Sequence, residues 1–213
     1  MPPDAPEQVI EVLGAFAGSA TLAYALLRMF RSLRQPSGRE EAGARFALRA
    51  PVLLVATILF VGVGVLLWRP LPIHPQSWLR VVLLSIGAPL FFGGLALYLW
   101  GIRSLAQMFG PSSGFGVRLH AKHRLVTTGP YAHVRHPMYV GVISTAIGSL
   151  LLYRTWTSLG FAIIMFGLAV RARREEGVLA QEFGNEWKAY ASQVPPWLPR
   201  LRWRKEVNSR GHS

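Results

Sequence analysis

Two clusters of charged and aromatic residues stand out against an apolar background. The first reads Leu125-Val126-Thr127-Thr128-Gly129-Pro130-Tyr131-Ala132-His133-Val134-Arg135-His136-Pro137-Met138-Tyr139-Val140-Gly141. Pro137 stands where an apolar helix should open. Proline suits a first helical position because its missing N–H would have no intrahelical partner there. The free N–H groups and positive end of that helix then lie beside Arg135 and His136, a setting that accepts a carboxylate or a phosphate. Gly129-Pro130 is a turn able to bring backbone close to a ligand. The second cluster is Arg171-Ala172-Arg173-Arg174-Glu175-Glu176. Arg171 and Glu175 are i, i+4 neighbours on a helix. Such a pair holds an anionic and a cationic group side by side, which suits a cationic cofactor and an acidic substrate. The residue types leave the anion unnamed.

The elements that position these clusters are apolar. The chain has 213 residues, 51% hydrophobic and only 15% charged, with a mean hydropathy of +0.31. That profile argues against a disordered or ordinary soluble protein. A charge at the centre of a membrane helix costs about 2.5–3.5 kcal/mol, so charge-free runs of about 20 residues are the signal. Val12–Leu27, Pro51–Trp68 and Val81–Trp100 are such runs, the first opening near Gln8 and ending at Phe30, the second extended back to Phe46. Met138–Val170 carries only Arg154 and is too long for one span. With a turn at Tyr153-Arg154-Thr155 it reads as a hairpin of two helices of about 15 residues, each reaching roughly 22 Å. The expectation is an all-α polytopic membrane protein of about five transmembrane helices. Three N-terminal helices occupy residues 1–100. A catalytic region occupies residues 101–213, with a cofactor-binding loop and a C-terminal amphipathic helix.

Of the 23 Lys and Arg residues, only Arg69, Arg80 and Arg154 fall on one side of these spans. The positive-inside rule puts the N-terminus outside and the C-terminus in the cytoplasm, as in a bacterial inner membrane. Gly101–Pro137 contains no acidic residue and includes a Gly/Ser/Pro-rich stretch at Gly110–Gly116. A loop this long in a small protein is usually functional. Beyond Arg171, Leu179, Phe183 and Trp187 fall on one helical stripe with Glu182 and Glu186 off it. Pro195, Pro196 and Pro199 then end regular structure. The first residues carry Asp4 and Glu7 and no basic residue, so they read as mature protein rather than as a signal peptide. The absence of cysteine excludes disulfides, thiolate metal sites and thiol nucleophiles.

Thr128-Gly129-Pro130-Tyr131, Arg135-His136-Pro137-x-Tyr139-x-Gly141, Arg171-(x3)-Glu175-Glu176 and Phe183-Gly184-x-Glu186-Trp187-x-x-Tyr190 together resemble the isoprenylcysteine carboxyl methyltransferase and phospholipid methyltransferase group. The resemblance covers about Leu119–Leu201. It implies S-adenosylmethionine as cofactor, held by His123, Arg124, Leu125 and Val126, then Tyr131, then His136, Pro137, Met138 and Tyr139. Arg124 departs from the eukaryotic members in residue type, which leaves its backbone as the contact. The resemblance assigns Glu175 to the cofactor, and Arg171 to substrate binding or catalysis. The acceptor it implies is lipophilic, a carboxylate of isoprenylcysteine type or a phospholipid amine. A carboxylate already carries its lone pair and needs neither a general base nor a metal. An amine would need a base, and none stands out.

Plainer readings exist for most of these residues. Arg135, Arg171, Arg173 and Arg174 could be interfacial anchors, Glu175 and Glu176 solvated helix residues, and Tyr131 and Tyr139 belt aromatics. His120, His123, His133 and His136 could hold a metal or haem, but no carboxylate lies near them in sequence. Gly62, Gly64, Gly93 and Gly94 suit close helix packing. A membrane NADPH-dependent reductase is the alternative enzyme class, and the Arg-His-Pro-x-Tyr block with Glu175-Glu176 argues against it. A transporter or scaffold would place ionisable residues inside the three clean spans, which contain none. Nucleic acid is not an expected partner, because the basic residues alternate with long uncharged runs instead of forming a charged surface.

Overall fold

A computed structural model describes residues 5–33, 37–40, 50–105, 112–113, 116–120 and 125–199. Six helices carry it: α1 (Ala5–Leu33), α2 (Ala50–Leu66), α3 (Ser77–Leu105), α4 (Pro137–Tyr153), α5 (Trp156–Met165) and α6 (Leu168–Gln193). The short strands β1 (Ser37–Glu40), β2 (Ser112–Ser113) and β3 (Gly116–His120) form an antiparallel sheet in the order β1-β3-β2. The sheet joins the α1–α2 connection to the loop after α3, so both connections lie at the same end of the helices.

Among the described residues, two helices are long and apolar enough to cross a membrane, at Ala5–Arg31 and Ser77–Leu105. Only 11% and 17% of their apolar windows are buried, so neither is the core helix of a soluble domain. Phe16 is 77% exposed, and Val12, Ile58, Val65, Ile164 and Phe166 also present their side chains outward. A continuous apolar exterior of this kind belongs in lipid. The protein is an integral membrane protein.

The closest packing is between α3 and α4, and it depends on small residues. A Cβ on Gly94 would stand 2.6 Å from the Gly141 carbonyl oxygen, and one on Gly141 would stand 2.7 Å from that of Gly94. Gly148 faces the Phe91 backbone in the same way. Lipid tails are as apolar as the side chains, so close backbone contact is what draws such helices together. Of the four glycines expected to pack, Gly94 does so; Gly62 and Gly93 face nothing within 4 Å, and Gly64 touches Thr157.

The hairpin turn falls at Tyr153-Arg154-Thr155 as the sequence indicates. Arg154 caps α4 in the left-handed region (φ 49°), and Thr155 and Ser158 form a reciprocal capping box that opens α5. The Leu71 N–H donates to the Arg154 carbonyl (2.7 Å) and the Trp156 N–H to that of Arg69 (3.0 Å). The Arg154 guanidinium donates to the buried Glu7 carboxylate, and the Tyr153 hydroxyl to the Glu11 carbonyl (2.9 Å). Together these contacts tie the start of α1 to the hairpin.

The second arm of the hairpin differs from expectation. The first arm, α4, has 17 residues, but α5 has only ten instead of about 15. At Phe166 and Gly167 the N–H groups turn to the carbonyls of Ile163 and Ile164, three residues back. This is a 3₁₀-type tightening, and the dihedrals of Phe166 and Gly167 stay in the right-handed helical region into α6. The tail helix is thus a continuation of the hairpin's second arm. It kinks at Gly184 (φ 50°), which breaks the stripe of Leu179, Phe183 and Trp187 in the middle.

Candidate functional site

Pro137 opens α4, as its position requires, with His136 at the N-cap. The preceding turn, Gly129–Ala132, rests on the end of α3, where Gly129 (φ 63°) faces Ser104 and Trp100. This turn buries Pro130 and Tyr131. The Tyr190 hydroxyl donates to the Tyr131 carbonyl (2.7 Å), which brings α6 down onto the turn.

The anion site expected beside Arg135 and His136 is filled from within the chain. Arg135 Nε donates to Glu176 Oε1 at 3.0 Å, and His136 Nε2 lies 2.8 Å from the same oxygen. Arg135 Nη1 also reaches the carbonyls of Ala191 (2.8 Å) and Val194 (3.3 Å), satisfying the end of α6. The backbone N–H groups of Arg135 and His136 donate to the carbonyls of Pro195 (2.9 Å) and Pro196 (3.1 Å). The His136 ring stacks on Tyr139 and lies tilted against Trp197. Arg135 is therefore neither a simple interfacial anchor nor an open receptor. It clasps the tail to the start of α4, and Glu176, which the sequence placed in the second motif without a role of its own, is its partner.

One step away, the second cluster assembles as its spacing indicates. Tyr139 donates its hydroxyl to Glu175, and Arg171 Nε reaches the same carboxylate at 3.3 Å. The Arg171 guanidinium lies over the Tyr139 ring, 5.6 Å from its centroid. Tyr98 of α3 stands on the same wall. Burial pushes the Tyr131 phenol well above its ordinary range, with the Glu175 charge adding to the effect. Burial likewise raises Tyr190 to about 12, opposed by Arg135 and assisted by Glu176. Both phenols remain neutral at physiological pH.

These groups line one cavity of about 880 Å³, within the range of small-molecule sites. Leu125, Val126, Tyr131, His136, Met138 and Tyr139 border it, and Arg171 and Glu175 face them. Pro137 is buried behind the wall and sets the helix start. His123 and Arg124 lie outside the described residues. Tyr98, Trp187 and Tyr190 also border the cavity. The sequence reading did not assign them to the site, although Trp187 and Tyr190 lie within its second motif. The donor set fits a cationic ligand with an aromatic portion, since it supplies a carboxylate and aromatic faces.

Residues 82–186 match the phospholipid methyltransferase family. This span runs from α3 through the first part of α6 and takes in both clusters. Among curated proteins, the protein-S-isoprenylcysteine O-methyltransferase of Schizosaccharomyces pombe is 38% identical over 81 residues, 37% of this chain and 34% of that protein. Protein-S-isoprenylcysteine O-methyltransferase B of Arabidopsis thaliana is 34% identical over 85 residues, 39% of this chain and 43% of that protein. The human protein-S-isoprenylcysteine O-methyltransferase is 32% identical over 142 residues, 60% of this chain and 50% of that protein. The matched part of the chain thus spans between a third and a half of these relatives. The likeness read from the two motifs is shown by these matches.

Proposed function

We propose that the chain is an integral membrane methyltransferase that uses S-adenosylmethionine to methylate a lipophilic acceptor, most simply a carboxylate of isoprenylcysteine type. The observation that carries this reading is the single cavity shared by the paired Arg171, Glu175 and Tyr139 and by apolar walls from α1, α2 and α5. The names of the relatives support the same chemistry.

The donor supplies an electrophilic methyl group on a positively charged sulfur. Glu175 offers the negative charge that holds it, and the Tyr139 hydroxyl fixes the rotamer of that carboxylate. Leu125, Val126 and Tyr131 form the facing wall, with His123 and Arg124 as further contacts. Arg171 orients the acceptor carboxylate by charge-assisted hydrogen bonds. Transfer between an anion and a cation cancels both charges, so a site that excludes water and aligns the pair at about 3–3.5 Å favours it. An amine acceptor would need a base. Glu175 is engaged by Tyr139 and Arg171, and Tyr131 is too weak an acid to serve through its phenolate, so the carboxylate acceptor is preferred over a phospholipid amine.

In this reading the chain crosses the membrane about five times. The third helix is shared between the N-terminal group and the catalytic region of residues 101–213. The site faces the cytoplasm, by the asymmetry of the basic residues, in a bacterial inner membrane. Calorimetric titration with S-adenosylmethionine, S-adenosylhomocysteine and NADPH tests the donor, and transfer of labelled methyl to N-acetyl-S-farnesylcysteine tests the acceptor. Binding of NADPH without S-adenosylmethionine would sink this reading in favour of a reductase.

A further inference from the structure

The cavity does not end at the paired charges. It continues beside α4 past Gly18, at the middle of α1, to Gly14, Trp68 and Tyr153 toward the opposite end of the helices. Tyr139 and Tyr153 are both on α4, 14 positions apart, so the trough is about 21 Å long at 1.5 Å per residue. That exceeds half of the bilayer's hydrocarbon thickness, about 15 Å. A lipid tail whose head lies at Arg171 would therefore cross the midplane inside the protein.

Along this length the cavity offers a tail few polar groups. The Thr145 hydroxyl bonds the Gly141 carbonyl (2.9 Å), Ser149 that of Ala146 (2.8 Å) and Thr157 that of Gly64 (2.6 Å). Each hydroxyl is turned back onto backbone and leaves carbon facing the trough. Aromatic rings stand at the far end, with Trp68 half exposed at the surface. Tyr153 packs on Trp68 (centroids 5.3 Å apart) and on Phe91 (6.0 Å). Its hydroxyl abuts Gly14 and is fixed by the Glu11 carbonyl at 2.9 Å.

We infer that this far end is a length gauge: Tyr153, braced by Trp68 and by the Glu11 carbonyl, sets the longest hydrocarbon tail that the site accepts. The inference takes its occupant, the tail of the methyl acceptor, from the methyltransferase reading. In a membrane the tail is already out of water, so entering the trough gains little from the hydrophobic effect. Selection between tails must then come from shape. A tail that stops short of Tyr153 leaves space that lipid can fill, whereas one that runs on in line with α4 meets the packed rings of Tyr153, Trp68 and Phe91.

The test uses the full chain in lipid nanodiscs and N-acetylcysteine thioethers bearing geranyl, farnesyl, geranylgeranyl and longer polyprenyl tails. Binding is read by quenching of Trp68 fluorescence with tails brominated at the far end, taken as the difference from Trp68→Phe. Methyl transfer is read separately. Quenching should appear only when the tail is long enough to reach Trp68, and affinity should fall about tenfold for the first tail too long for the trough, the scale of overpacking a filled core. Tyr153→Ala should move that limit to a longer tail. Gly18→Leu should move it to a shorter one, since its added atoms enter the trough where a Cβ stands 3.5 Å from the Phe91 ring. Tyr153→Phe, which keeps the ring on Trp68 and Phe91 but loses the Glu11 brace, should move the limit less than Tyr153→Ala does. Profiles of Gly18→Leu and of Tyr153→Ala that superimpose on the parent's would overturn the gauge, as would the absence of tail-dependent quenching. Failure of the methyltransferase reading looks different: intact length-dependent quenching, with no methyl transfer and no binding of S-adenosylmethionine.

Discussion

Tyr139 donates its hydroxyl to Glu175, and this contact joins the first turn of α4 to α6 across 36 residues of chain. Both side chains face the same cavity, with Arg171 stacked over the tyrosine ring and paired with the same carboxylate. Had the two residues lain at opposite ends of the helices, a donor site between the two clusters would have been impossible.

Replacing Glu175 with Gln keeps the shape and removes the charge. Opposite unit charges about 4 Å apart near a protein surface attract by roughly 4 kcal/mol before desolvation, so the Kd for S-adenosylmethionine should rise at least about tenfold. S-adenosylhomocysteine has no charge on sulfur and should lose much less. Calorimetry with the two ligands checks this, and an equal loss for both would remove Glu175 from the sulfonium.

Arg171 should separate acceptor from donor. Arg171→Met keeps much of the side-chain volume over Tyr139 but cannot bond a carboxylate. The KM for a carboxylate acceptor should rise about tenfold or more, with Arg171→Lys recovering only part because a point charge lacks the planar fork. Donor affinity, measured by calorimetry, should hold or tighten as Glu175 loses its competing cation. An unchanged KM would leave Arg171 as an interfacial anchor.

Much of this arrangement can be read from the residues in order. Pro137 announces the start of α4, Tyr153-Arg154-Thr155 the hairpin turn, and the i, i+4 spacing of Arg171 and Glu175 their pairing, because each is a local relationship. The partners of Arg135 and His136 are not local. Glu176 lies 41 and 40 residues away from them, and the Arg154–Glu7 pair is 147 residues apart. No periodicity encodes such meetings. The brevity of α5 was equally hidden, since Ile163 to Val170 is uniformly apolar and gives no sign that the hydrogen bonds tighten at Phe166. Tyr98 escaped notice because it is one aromatic residue in an apolar span, and only the contact of Gly94 with Gly141 brings it to the site.

That contact can be tested directly. Gly148→Leu drives a side chain into the Phe91 backbone, and Gly94→Val drives one into Gly141 and Thr145. Overpacking of this kind costs about 1–3 kcal/mol. Both variants should melt earlier than the parent in detergent and bind S-adenosylmethionine less well. Gly93→Ala, on the same helix but facing nothing within 4 Å, should melt with the parent. Equal melting of all three would mean that α3 and α4 are not held by close backbone approach.

The clasp around Glu176 should respond to alkali through Tyr190. Its phenol is raised from 10 to about 12, so the neutral form is favoured in the folded protein. A group whose folded pKa is raised contributes its stability fully below the unfolded pKa and loses it as pH climbs through the folded value. The hydrogen bond to the Tyr131 carbonyl should therefore be intact up to about pH 10 and fail progressively toward pH 12. Tyr190→Phe removes that bond at every pH, at about 1 kcal/mol, so the difference in stability between parent and variant should be level below pH 10 and shrink above it. Phenolate absorbance should show one tyrosine fewer titrating late in the variant. A difference that grew above pH 10 would reverse the sign of the shift and detach Tyr190 from the clasp.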